Sequence, residues 1–143
     1  MPNPGDVFNY ANFPFPEGNI RNKYFVVLNE VGSEDASECL ALITTSRLEH
    51  YHGATKGCYQ EEAVFIILGG EAGFTKSTAI KMPSPKRSKI YVFTLSQLLI
   101  LGMSKVVEQS GKLSEQRFRE LMNCLKKFKD DIAPEHWKIL FPK

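Results

Sequence analysis

Residues 23–45, KYFVVLNEVGSEDASECLALITT, decide the fold class. Two apolar runs, Lys23–Val31 and Cys39–Thr45, flank the polar, acidic loop Gly32–Ser37. The first run is rich in aromatic and β-branched residues, which pack well on a pleated surface, and both have the length of a buried strand. Towards the N-terminus, Gly5-Asp6 leads into a third strand, Val7–Phe13, stopped by Pro14 and Pro16, with Glu17-Gly18-Asn19 as turn chemistry. Towards the C-terminus, Ser46–Gln60 reads as a long loop containing Gly53 and Gly57, a length common in functional or mobile loops. Glu62–Leu68 is a further strand, ended by Gly69-Gly70, and Ser77–Met82 and Lys89–Thr94 flank Pro83-Ser-Pro85 as a predicted hairpin.

Beyond that point the period changes. Ser96–Leu101 is expected to form one or two helical turns. Ser114 is a good N-cap for a helix in which Phe118, Leu121, Met122, Leu125 and Phe128 recur at helical spacing. Lys126, Lys127 and Lys129 gather where cations complement the helix dipole. Pro134 is expected to end this helix, leaving Trp137, Ile139, Leu140 and Phe141 as a short apolar tail. The chain thus reads as mostly β with α: five or six short strands in a small barrel, which hides sheet edges by closure, followed by one amphipathic helix. Its 143 residues suit one domain.

Composition narrows the function classes. Hydrophobic residues at 43% and charged residues at 24% are ordinary for a folded domain and argue against disorder. The longest apolar runs, Ala63–Leu68 and Leu98–Leu101, fall far short of the roughly 20 residues of a membrane span. The opening residues lack a basic region followed by an apolar core, so a cytoplasmic location is expected. Cys39, Cys58 and Cys124 have no CxxC spacing and are expected to be free thiols in a reducing compartment. His50 and His52 have no further ligand at a helpful distance, so neither a metal nor another cofactor is expected. Charge is asymmetric: residues 1–72 carry four Lys/Arg against ten Asp/Glu, and residues 73–143 carry fourteen against six. Lys76, Lys81, Lys86, Arg87 and Lys89 lie in a stretch without acidic residues that suits either phosphate or solvent.

Several short motifs, in order, resemble one family. Gly5-Asp6-Val7, then Phe13-Pro-Phe-Pro-Glu-Gly18, then the strand Lys23–Leu28 resemble the opening of the MazF/PemK toxins. Ala41–Thr45 (ALITT), Gly73-Phe-Thr-Lys-Ser77-Thr-Ala-Ile and Gly111-Lys-Leu-Ser114 resemble later segments of that family, so the resemblance spans about residues 4–129. It implies an SH3-like barrel, usually homodimeric, that cleaves single-stranded RNA without metal. It also implies attack by the RNA's own 2′-hydroxyl, a cyclic phosphate product and inhibition by an antitoxin with an acidic tail.

The family's catalytic threonine maps onto Thr44. Its arginine maps onto Lys23, with Tyr24 where a proline is usual, and Arg21 lies two positions earlier. Lys is a mobile point charge where Arg is a planar fork, so Lys23 and Arg21 together are the expected phosphate clamp. Arg47, Lys86, Arg87 and Lys89 are the expected RNA contacts, Tyr24 or Phe25 could stack a base, and His50 or His52 could move a proton. Departure from Arg-Pro also fits two binders without cleavage: an inactive RNA- or protein-binding module, or a gyrase-targeting one on the same barrel.

Overall fold

The computed structural model describes residues 2–142 apart from 16, 17, 19, 52–54 and 86, with the backbone only at His50. The chain is mostly β with α, as the sequence pattern predicts. The strands are β1 (Asp6–Pro14), β2 (Ile20–Val27), β3 (Glu38–Thr45), β4 (Gly57–Tyr59), β5 (Val64–Ile67), β6 (Thr78–Lys81), β7 (Tyr91–Thr94) and β8 (Val107–Lys112). The helices are α1 (Leu95–Met103), α2 (Glu115–Leu125) and α3 (Pro134–Leu140), and Leu48–His50 and Lys126–Asp131 form 3₁₀ turns.

All strand pairs are antiparallel, in the order β4-β5-β6-β3-β2-β1-β8, with β7 also on β3. The barrel is not closed, which corrects the expected architecture: among the described residues no ladder joins β4 to β8. A loop covers β8 instead. Gly73 and Gly111 meet backbone to backbone there; a Cβ at Gly111 would overlap the Ala72 carbonyl, and one at Gly73 the Ser110 carbonyl. Gly73 also holds φ +85°, a conformation glycine adopts without a steric penalty. Arg117 of α2 fastens the same loop through Glu71 (Nε–Oε2 2.8 Å) and also pairs with Glu120.

The central strand β3 explains the layout. Its near-continuous apolar sequence is buried on both faces, the pattern of a strand covered on two sides. Leu40 and Leu42 join Val7, Val26, Phe65, Ile80, Leu121 and Leu125 in a core beneath α2 and α3. Ala41 and Ile43 face the other way, with Phe8, Phe13, Phe25 and Phe93, and are covered by Leu95 and Leu98 of α1. Ring pairs such as Phe13–Phe25 (centroids 5.1 Å, edge-on) fix this second layer.

Several boundaries differ from the sequence reading for identifiable reasons. The Lys23–Val31 run ends as a strand at Val27, because the buried side chain of Asn29 replaces the ladder. Its Oδ1 accepts from Leu40 N (2.8 Å) and its Nδ2 donates to the Glu38 (3.0 Å) and Glu30 (3.1 Å) carbonyls. β6 and β7 do not form the predicted hairpin; both lie along one edge of β3, at Thr44–Thr45 and at Glu38–Ala41. An eight-residue strand has room for two short partners end to end, and Pro83 and Pro85 break the chain between them.

The Ser46–Gln60 loop contains β4 as well as a 3₁₀ turn. Thr94 and Gln97 form a capping box that starts α1, and Ser114 caps α2, its Oγ accepting from Arg117 N (3.1 Å). Pro134 does not end the helix that Ser114 starts, which stops at Leu125; it opens α3 as its first residue, where its missing N–H is unneeded. Cys58 and Cys124 are joined by a disulfide, so the expectation of three free thiols is corrected. Only Cys39 is free; it is buried, and desolvation followed by the nearby Asp6 charge pushes its thiol up to about 12. Among the described residues no helix is long and apolar enough to cross a membrane.

Candidate cationic site

Pleat alternation assigns the candidate residues to faces. Phe25 pairs with Ile43 and Val26 with Leu42, and the two pairs pack into different cores. Side chains alternate along a strand, so Arg21 and Lys23 continue the Phe25 face of β2, and Thr45 continues the Ile43 face of β3. On β6, Ala79 pairs with Thr45, which brings Lys81 to that same face. Thr44 continues the Leu42 face and points the opposite way, as does Tyr24, whose ring meets Phe74 edge-on at 5.6 Å.

The shared face is cationic. Lys23 is held below the ordinary lysine value of 10.5, first by desolvation and then by the charges of Lys81, Arg21 and Arg47. Lys81 is lowered likewise, by burial and then by Arg21. Like charges gathered on a partly buried surface cost stability unless an anion joins them, an arrangement common where proteins bind anions. Phe15 supplies an aromatic edge, with Arg21 Cζ 5.8 Å and Lys23 Nζ 6.0 Å from its ring centroid. These separations are within the usual reach of a cation–π contact.

Thr44 is buried, and its Oγ1 donates to the Tyr24 carbonyl at 3.1 Å. That bond uses the hydroxyl's single proton, although its lone pairs can still accept. Thr44 and Lys23 both border one small cavity of about 200 Å³, which Arg21, Arg47 and Lys81 do not line. The structure therefore brings Arg21, Lys23 and Arg47 together and adds Lys81, while the Thr44 side chain points to the other face of β3 and shares with Lys23 the border of one small cavity.

Lys89 stands over the Tyr91 ring (Nζ to centroid 5.2 Å). Arg87 lines a second cavity of about 570 Å³ that also includes Lys81. Phe25 is fully buried in the aromatic core, so of the two residues considered for base stacking only Tyr24 reaches solvent. Lys86 and His52, and the His50 side chain, lie outside the described residues. Among the described residues no group of three His, Cys, Asp or Glu side chains could hold a metal ion. Lys81 was the residue sequence reasoning did not select as a site residue; its alternation with Ile80 in Thr78–Lys81 was the available signal. No family model, curated protein or solved structure matches the chain.

Proposed function

We propose that the protein cleaves single-stranded RNA without metal, with Arg21, Lys23, Arg47 and Lys81 holding the scissile phosphate. The observation that carries this reading is the gathering of four cations, from β2, β6 and the loop that follows β3, whose mutual repulsion an RNA phosphate would relieve. The 2′-oxygen attacks phosphorus, the bond to the 5′-oxygen breaks, and that oxygen leaves with a proton as a 5′-hydroxyl. The other fragment ends in a 2′,3′-cyclic phosphate. Charge accumulates on the non-bridging oxygens during attack, and fixed cations stabilise it there. Thr44, through its bond to the Tyr24 carbonyl, positions the middle of β2 next to Lys23.

A homodimer and an acidic protein partner belong to the same proposal, as does the cytoplasm, where such RNA is found. Ile100 and Met103 on the outer side of α1, 66% and 86% exposed, offer the apolar surface a second copy could cover. One observation favours binding without cleavage: the Thr44 proton is already donated, on the face away from Lys23. The deciding experiment incubates the protein with 5′-labelled RNA of mixed sequence in EDTA and analyses the product ends. A cyclic phosphate and a 5′-hydroxyl are expected. Absolute dependence on Mg²⁺ would contradict the metal-free mechanism, and bound but intact RNA at micromolar protein would establish the alternative.

A further inference from the structure

We infer that the 570 Å³ cavity beside Lys81 is a nucleobase subsite that selects guanine, receiving the base next to the phosphate on the cationic face. The inference rests on the RNA reading above and deepens it.

The cavity lies within the range of small-molecule sites, about 300–1,000 Å³. Lys81 belongs both to it and to the Arg21–Lys23 cluster, so a phosphate and its attached base would reach the two places at once. Val64, paired with Lys81 across the ladder, forms part of the floor. Tyr51 packs against the apolar group of Val64, Ile66 and Ala79, which holds its partly buried ring as a wall on which a base can stack.

Opposite charges share the cavity. Glu62 and Arg87 both line it, and both act on the Tyr51 phenol, which burial holds above its ordinary value. Guanine presents matching chemistry on one molecule: N1–H and N2–H as parallel donors for a carboxylate, and O6 and N7 as acceptors for a guanidinium. Adenine has a lone pair where guanine has N1–H, and cytosine offers the carboxylate only its amino group. A carboxylate has about four acceptor positions, so a protein partner at Glu62 leaves capacity for a base. Ser88 also lines the cavity, and its buried Oγ has no hydrogen-bond partner among the described residues, a condition buried polar atoms rarely keep without a ligand or water.

The test uses four 2′-fluoro pentanucleotides, UUXUU with X as G, A, C or U, which bind but cannot undergo 2′-oxygen attack. Affinities are measured by calorimetry for the parent, Glu62→Gln and Tyr51→Leu, with folding checked by circular dichroism, and cut sites are mapped in parallel on ordinary RNA. The G pentamer is expected to bind the parent at least about tenfold more tightly than the others. Glu62→Gln should remove that preference, and Tyr51→Leu should weaken all four. Equal affinity or no binding for the four pentamers, with cleavage of ordinary RNA intact and indifferent to base, overturns the subsite and leaves the nuclease. A guanine preference lost in Glu62→Gln, without cleavage by the parent, keeps the subsite and rejects the nuclease.

Discussion

Lys23→Ala is expected to slow single-turnover cleavage of a labelled single-stranded RNA by about 10²–10³-fold, the usual effect of removing one donor to a developing oxyanion. Arg21→Ala should fall in the same direction, because both side chains occupy one face of β2 and both approach Phe15. The double variant should lose less than the product of the two losses, since groups acting on one phosphate are not additive. The pH profile supplies an independent readout. Lys23 is lowered from 10.5, so its charge disappears as pH rises through that lowered value, and cleavage should decline on an alkaline limb that begins below 10.5. Lys23→Arg should retain activity and move this limb upward, because arginine stays charged. Full-rate cleavage by both alanine variants would remove Lys23 and Arg21 from the site while leaving the fold assignment intact.

The second large effect concerns stability. The Cys58–Cys124 bond ties β4, an end strand of the sheet, to the buried side of α2 across a sequence separation of 66. In the chain-entropy model, closing a loop of that size in the unfolded chain stabilises the fold by about 4 kcal/mol. Cys58→Ala/Cys124→Ala should therefore unfold at a clearly lower urea concentration than the parent, and the parent in reductant should approach the variant. Cys39 contributes no such term, being buried and free. Coincident urea midpoints for the oxidised parent and the double variant would show that the packing of α2 on the sheet carries this region alone.

What was legible in the chain follows from where local pattern and tertiary context agree. Val7–Phe13, buried at Val7, Phe8 and Phe13, and Cys39–Thr45, buried almost throughout, are intrinsically strand-like and appear nearly as read. The N-cap at Ser114 is local chemistry and also appears. β8, VEQSGK, was missed because polar residues dominate it; it is a strand through its ladder with β1 and the close approach of Gly73 to Gly111. The hairpin at Pro83–Pro85 was misread because turn residues mark a break without saying which strand each side joins, and β3 accepted both. The disulfide was illegible because Cys58 and Cys124 meet only after α2 folds back on β4.

The site divides in the same way. Alternation alone places Arg21 and Lys23 together. The arrival of Lys81 depends on the β3–β6 register, and the placement of the Thr44 side chain on the other face depends on which face of β3 each core covers.

The central claim is that the cations on the Lys23 face meet RNA phosphates, and the salt dependence of binding tests it most directly. Affinity for a labelled single-stranded RNA would be measured from low to moderate salt for the parent and for Arg21→Gln/Lys23→Gln/Lys81→Gln. Each phosphate contact on a single strand contributes about 0.7 to the slope of log affinity against log salt, so losing three should make the slope shallower by about 2. A variant with the parent's slope and affinity would contradict the account and place RNA, if it binds at all, on another surface.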